Sequence, residues 1–199
     1  MLETSKLSFH TVCFSTNFSN FSSVSIMRQY FMTAQCFDIN YAKEYHIKFK
    51  HKIEFEKLGQ IEIANSFYEI SSFTKTNQAC EKADCFIIFY DLENNESLRE
   101  LTKILKYINE TCDKEKKIYL LAIYTNYENM NNFSENNVKP YFSHNSLNNY
   151  SINTVNMDSS DELVETIDSL TEETLKEKMN ANKMTDYDNS HSKCIILIY

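Results

Sequence analysis

Glycine is almost missing from this chain: Gly59 is the only one in 199 residues. Backbone that closes around a phosphate needs glycine, because a Cβ blocks the approach and positive φ is costly for other residues. With no glycine before Gly59, and no lysine between Lys6 and Lys43 to reach a β- or γ-phosphate, a phosphate cradle of the common type is excluded. Nor does any stretch hold the roughly eighteen apolar residues of a membrane helix, and the opening Met1-Leu2-Glu3-Thr4-Ser5-Lys6 lacks the apolar run of a signal peptide. The expected location is intracellular and cytoplasmic.

Positive charge is also in deficit. Lys and Arg total 20 against 28 Asp and Glu, a formal charge of -8. The densest basic run, Lys43 to Lys57, is interleaved with Glu44, Glu54 and Glu56, so no patch attracts a phosphate backbone, and nucleic-acid binding is excluded. Paired cysteines are missing too. The six, at 13, 36, 80, 85, 112 and 194, are scattered, and Cys80 and Cys85 are too far apart for a CxxC pair. They read as reduced thiols, with no disulfide or metal site among them.

What the chain does have is a central stretch around which the rest is organised. Cys85-Phe86-Ile87-Ile88-Phe89-Tyr90, ended by Asp91, reads as a strand buried on both faces. Helix follows at once, with Asn95 as its expected cap. Leu98, Leu101, Ile104, Leu105 and Ile108 recur at three- and four-residue spacing, with Arg99, Glu100, Lys103 and Lys106 on the opposite face. Strand then amphipathic helix is half of a crossover unit and predicts an α/β fold.

Other segments fit that class. Leu7 to Phe14 is a plausible first strand, and Ser22 or Ser23 can cap a short helix burying Ile26, Met27, Tyr30 and Phe31. Ile47, Phe49, Ile53 and Phe55 alternate with charged residues, which predicts a strand with one wet side, and His51 falls on its apolar face. Gly59 turns the chain into a return strand through Ile61 and Ile63. Asn65 to Ala79 has no clear period and reads as loop with one helical turn. Ile118 to Tyr124 is a second buried strand, Pro140 can start a short helix, and Tyr150 to Val155 is the last core strand. Ser159 and Glu162 form a capping box ahead of a helix striped by Leu163, Val164, Ile167 and Leu170. That helix is expected to end near Met179, giving a domain over residues 1–179 and a flexible polar tail over 180–199.

The order of these elements resembles the small GTPases of the Ras superfamily, most closely the Rab branch. Cys80-Glu81-Lys82-Ala83-Asp84 resembles the family's YRGAD run, Asn94-Asn95-Glu96-Ser97-Leu98 its following helix start, and Ser25 to Tyr30 the helix after the phosphate loop. Asp161-Glu162-Leu163-Val164 resembles the last helix. The resemblance implies a P-loop NTPase fold: a three-layer sandwich around a six-stranded, mostly parallel sheet with one antiparallel strand.

The family's nucleotide-binding positions fall on unsuited residues. The loop becomes Asn17-Phe18-Ser19-Asn20-Phe21-Ser22-Ser23-Val24, with Ser23 at the lysine position and Val24 at the magnesium hydroxyl position. No threonine lies between Thr33 and Thr74 for the first switch. The DTAGQ stretch appears as Asn65-Ser66-Phe67-Tyr68-Glu69, where Tyr68 replaces the γ-phosphate-sensing glycine and Glu69 the water-orienting glutamine. The guanine-reading motif falls near Asn126 and is not recognisable. Losing three charge-assisted contacts of about 2 kcal/mol each removes about four orders of magnitude in affinity.

These substitutions imply a Rab-like pseudo-GTPase without catalytic residues, metal or cofactor, acting through protein partners at the switch-like surface of residues 34–75 in vesicle traffic or signalling. A divergent GTPase that keeps GTP or GDP with magnesium and hydrolyses GTP weakly is the alternative, favoured by the hydroxyls of Ser19, Ser22, Ser23 and Ser25 at a helix start. A structural assembly subunit is the third reading. Cys194, followed by Ile195-Ile196-Leu197-Ile198-Tyr199, is a candidate for Rab-type lipidation. One chain there would give weak, reversible association with endomembranes.

Overall fold

The computed structural model describes residues 9–16, 23–33, 37–43, 46–55, 59–69, 77–92, 94–112, 116–125, 140 and 149–193. In chain order these form β1 (Phe9–Ser15), α1 (Ser23–Thr33), β2 (Phe37–Lys43), β3 (His46–Phe55), β4 (Gly59–Glu69), α2 (Asn77–Lys82), β5 (Cys85–Asp91), α3 (Asn95–Thr111), β6 (Lys117–Tyr124) and β7 (Tyr150–Asn156). A final helix, here α4, runs over Ser160–Lys193.

The described strands make one sheet in the order β2-β3-β4-β1-β5-β6-β7. Strands β4, β1, β5, β6 and β7 run parallel to one another, and β3 runs antiparallel to both β2 and β4. The sheet thus has seven strands where the sequence predicts six. The extra one is β2, whose Phe37, Ile39 and Tyr41 carry a period-two signal too short to stand out.

β5 lies inside the sheet, and its seven residues are all buried. Alternate side chains serve opposite faces. Cys85, Ile87 and Phe89 join α1 and α4 through Ile26, Met27, Tyr30, Leu163, Ile167, Leu170 and Leu175. Phe86, Ile88 and Tyr90 meet α2 and α3 through Cys80, Leu101, Ile104, Leu105 and Ile108. Each fully buried Phe or Ile contributes about 1.5–3 kcal/mol. A continuous apolar run is what a strand sandwiched by helices on both sides requires.

Three local expectations change. Asn65 to Glu69 is not loop: it completes β4, pairs with Thr11 to Ser15 of β1, and buries Phe67 with its ring 6.3 Å from that of Phe89. Pairing on both sides satisfies the backbone there and overrides the polar composition. The cap of α3 is Asn94, one residue earlier than expected, whose side chain accepts from Glu96 N. Glu100, expected on the wet face, is buried, because positions 97, 100, 101, 104, 105 and 108 form one helical stripe.

No break occurs at Met179. α4 continues to Lys193, and no glycine or proline interrupts that stretch. Pro140 aside, the helix expected after it, the Asn126 loop and Cys194 lie outside the described residues. Among the described residues no helix is long and apolar enough to cross a membrane.

Candidate functional site

Open α/β sheets gather ligands at the carboxyl ends of their parallel strands. Here that edge is closed by buried hydroxyls. Thr16, the residue after β1, sends its N–H to Phe89 O at 3.1 Å. Its Oγ1 lies 3.3 Å from the same carbonyl and 2.6 Å from Ser97 Oγ. Ser97 Oγ in turn accepts from Asp91 N at 2.8 Å. One proton order satisfies all of these: Asp91 N–H to Ser97, Ser97 O–H to Thr16, Thr16 O–H to Phe89 O. Ser15 Oγ donates to Thr16 O at 2.9 Å. The ends of β1 and β5 and the first turn of α3 are therefore fastened to each other, and these hydroxyls are engaged by protein.

The same edge continues along β6 and β7. Leu92 N donates to Ile123 O, and Met157 N to Tyr124 O. Only half of the expected capping box forms at α4: Glu162 N donates to Ser159 Oγ at 3.3 Å, whereas the Glu162 carboxylate accepts from Asn156 N at 3.1 Å. Asn156 also takes the N–H of Asp158 on its Oδ1 at 3.0 Å.

The charge of this edge is one-sided. The described strand ends and the first turns of α1, α3 and α4 contain Glu69, Asp91, Glu96, Asp158, Asp161 and Glu162 against one lysine, Lys43 at the end of β2. Carboxylates suit helix N-termini, since the dipole there is positive. Six carboxylates against one lysine give this edge a net negative field that disfavours phosphate.

Lysines gather instead at the amino ends of the strands. A shallow groove of about 340 Å³ there is lined by Asp84, Lys116, Lys117, Glu177 and Lys178 among others. Its charges are matched within the protein. Lys117 pairs with Glu173 at 3.1 Å and Glu177 at 3.3 Å, and Lys178 with Asp84 at 2.5 Å. Burial works against the Lys117 charge, but the hydrogen bonds it donates to Glu173 and Glu177, with their negative charge, outweigh it and raise its pKa. Lys116 Nζ donates to the carbonyls of Cys80 and Glu81.

The sequence-derived positions divide into three groups. Asn17, Ser19, Ser22, Asn126 and Cys194 lie outside the described residues. Ser23 and Val24 are the first two residues of α1, so Ser23 opens the helix and does not precede it as a cap. Asn65, Tyr68 and Glu69 are on β4, opposite Thr11, Phe14 and Ser15 of β1. Asn65 is four residues short of the strand's end, while Glu69 stands at the carboxyl edge. The surface assigned to residues 34–75 comprises β2, β3 and β4 among the described residues. Thr16 and Ser97 were not singled out from sequence; a helix-start serine one turn from a strand end is too common to mark a contact between residues 81 apart.

Two further groups bear on chemistry. Cys13 and Cys85 are buried under the sheet face, and burial pushes both thiols up, Cys85 to about 12, so neither is a nucleophile at neutral pH. Among the described residues no three His, Cys, Asp or Glu side chains are grouped to hold a metal ion.

Comparison with known proteins places this architecture. No curated protein matches the chain. The family model described as "Ras family" matches residues 69–179, from the last residue of β4 into α4. That span is more than half of the chain and contains the whole β5–α3 unit, both β6 and β7, and the buried stripe of the last helix, so this small-GTPase-like chain belongs to the Ras family.

Proposed function

We propose that this protein is a Rab-like pseudo-GTPase, which keeps the family's sheet and helices and acts by protein contacts in intracellular traffic or signalling. The observation that carries the reading is the carboxyl edge of the sheet among the described residues: six carboxylates against a single lysine, Lys43 on the outlying strand β2, and a serine where α1 begins. A triphosphate with its magnesium needs a cation, a hydroxyl and close backbone approach at that place. Ser23 brings no charge, Val24 no hydroxyl, and the chain has no glycine before Gly59. This donor set does not fit the group, and no step through it is derived.

Without a γ-phosphate to order the family's switch segments, the surface of β2, β3 and β4 is set by sequence or by partners. A Cys194 lipid would add reversible membrane contact to that role.

Nucleotide content tests the reading. Protein purified without added nucleotide, then denatured and resolved by ion-exchange chromatography, is expected to release far less than one guanine nucleotide per chain. Stoichiometric GDP or GTP overturns the proposal in favour of a divergent GTPase. Proximity labelling in cells then separates traffic partners from a fixed assembly.

A further inference from the structure

Cys80 and Cys112 come together where α2 meets the end of α3. Cys80 is fully buried, while Cys112, the residue after α3, is half-buried and reaches the surface. Cys112 packs against the buried cluster that contains Cys80, and the Cys80 thiol is the group that acts on it most strongly. Thr111 Oγ1 lies 3.4 Å from Cys112 Sγ. The Lys116 ammonium is pinned beside the pair by the carbonyls of Cys80 at 3.0 Å and Glu81 at 2.8 Å. Glu81 supplies the opposing charge on the α2 side.

These groups have a clear net effect. The Cys80 contact stabilises a Cys112 thiolate most; burial opposes it, and Thr111 and Lys116 add to it, outweighing Glu81. Together they bring the thiol down to about 7. Cys13 and Cys85 behave in the opposite way and are out of reach of solvent. Cys112 is thus a partly exposed thiol held toward its thiolate form, and it packs beside a second thiol.

We propose that Cys80 and Cys112 are a peroxide-responsive dithiol, with Cys112 as attacking sulfur and Cys80 as resolving sulfur, whose disulfide fastens α2 to α3. In the first step the Cys112 thiolate attacks one oxygen of hydrogen peroxide. The O–O bond breaks, hydroxide leaves and takes up a proton to become water, and the sulfur is left as sulfenic acid. In the second step the Cys80 sulfur attacks that sulfur. The S–S bond forms, the S–O bond breaks, and the departing hydroxide takes the Cys80 proton as the second water. Two thiols are oxidised and one peroxide is reduced to two waters. The reaction needs no nucleotide, so it stands or falls apart from the proposed function.

The test uses the full chain, reduced and then treated with a small excess of hydrogen peroxide. Non-reducing digestion and mass spectrometry are expected to find the Cys80 and Cys112 peptides joined, and separated again by dithiothreitol. Iodoacetamide labelling of Cys112 should rise through about pH 7, well below an ordinary thiol near 8.5. In Cys80→Ser the reaction should stop at a Cys112 sulfenic acid that dimedone traps. Wild-type protein in which the two peptides stay separate after peroxide, or in which Cys112 labels only near pH 8.5 or above, overturns the proposal without recourse to the variant.

Discussion

Ser97 holds three pieces of structure with one hydroxyl. It accepts from Asp91 N at 2.8 Å and meets Thr16 Oγ1 at 2.6 Å, with no exposure to solvent. Removing it takes away the acceptor of the buried Asp91 N–H and one of the two contacts of the Thr16 hydroxyl, at a cost of about 1–3 kcal/mol. Ser97→Ala is therefore expected to lower the unfolding free energy by that amount, read as a lower urea midpoint at unchanged m-value, whereas a loss under about 0.5 kcal/mol would show that the Thr16–Ser97 contact is dispensable. Neither residue was legible as a pair. Periodicity reports which side of a helix is buried; it says nothing about which hydroxyl from a distant strand arrives there. The cysteines show the same limit, since Cys80 and Cys112 carry no spacing signal and meet only because α2 lies against the end of α3.

Elements were read more easily than sites, and the reason is local. β5 and β6 announce themselves by unbroken apolar runs, and α3 by its stripe, because burial on two faces or on one face dictates those patterns directly. The last turns of β4 were not legible. Asn65, Ser66 and Glu69 are poor strand formers, and pairing with β1, joined by β3 as far as Tyr68, makes strand the better state. Glu100 misled in the opposite direction, its charge masking a position that geometry places on the buried stripe. The cap of α3 gives an element-scale prediction. Asn94 Oδ1 accepts from Glu96 N at 2.9 Å, so Asn94→Ala should destabilise the protein by about 1 kcal/mol, read by thermal or urea unfolding, while Asn95→Ala should do less.

At the scale of the whole molecule, protonation links the two buried thiols to stability. Cys13 and Cys85 stay protonated in the fold well above the value near 8.5 at which an unfolded thiol ionises, Cys85 to about 12. Above pH 8.5 or so the unfolded chain binds fewer protons than the native one, so stability falls as pH rises, by up to about 1.4 kcal/mol per pH unit for each thiol. Cys112 has the opposite sign: lowered to about 7, it contributes stability that is fully present above its unfolded value near 8.5 and is lost as pH falls through 7. Urea midpoints are expected to decline between about pH 9 and 10.5, and Cys85→Ala should flatten that slope. A slope unchanged in the variant would remove Cys85 from the account.

The sheet order also governs how the chain comes to be folded. β1 is made before the other described strands, yet it seats between β4 and β5, and Cys85 meets Thr11 across 74 residues of chain. On a ribosome it must wait, unpaired on both sides, until the later strands have emerged. Closing such distant contacts is slow, and a waiting apolar strand is an aggregation hazard. The protein's early life therefore depends on how quickly β4 and β5 follow, and a pause in synthesis before residue 91 would expose Phe9, Val12 and Phe14 for longest.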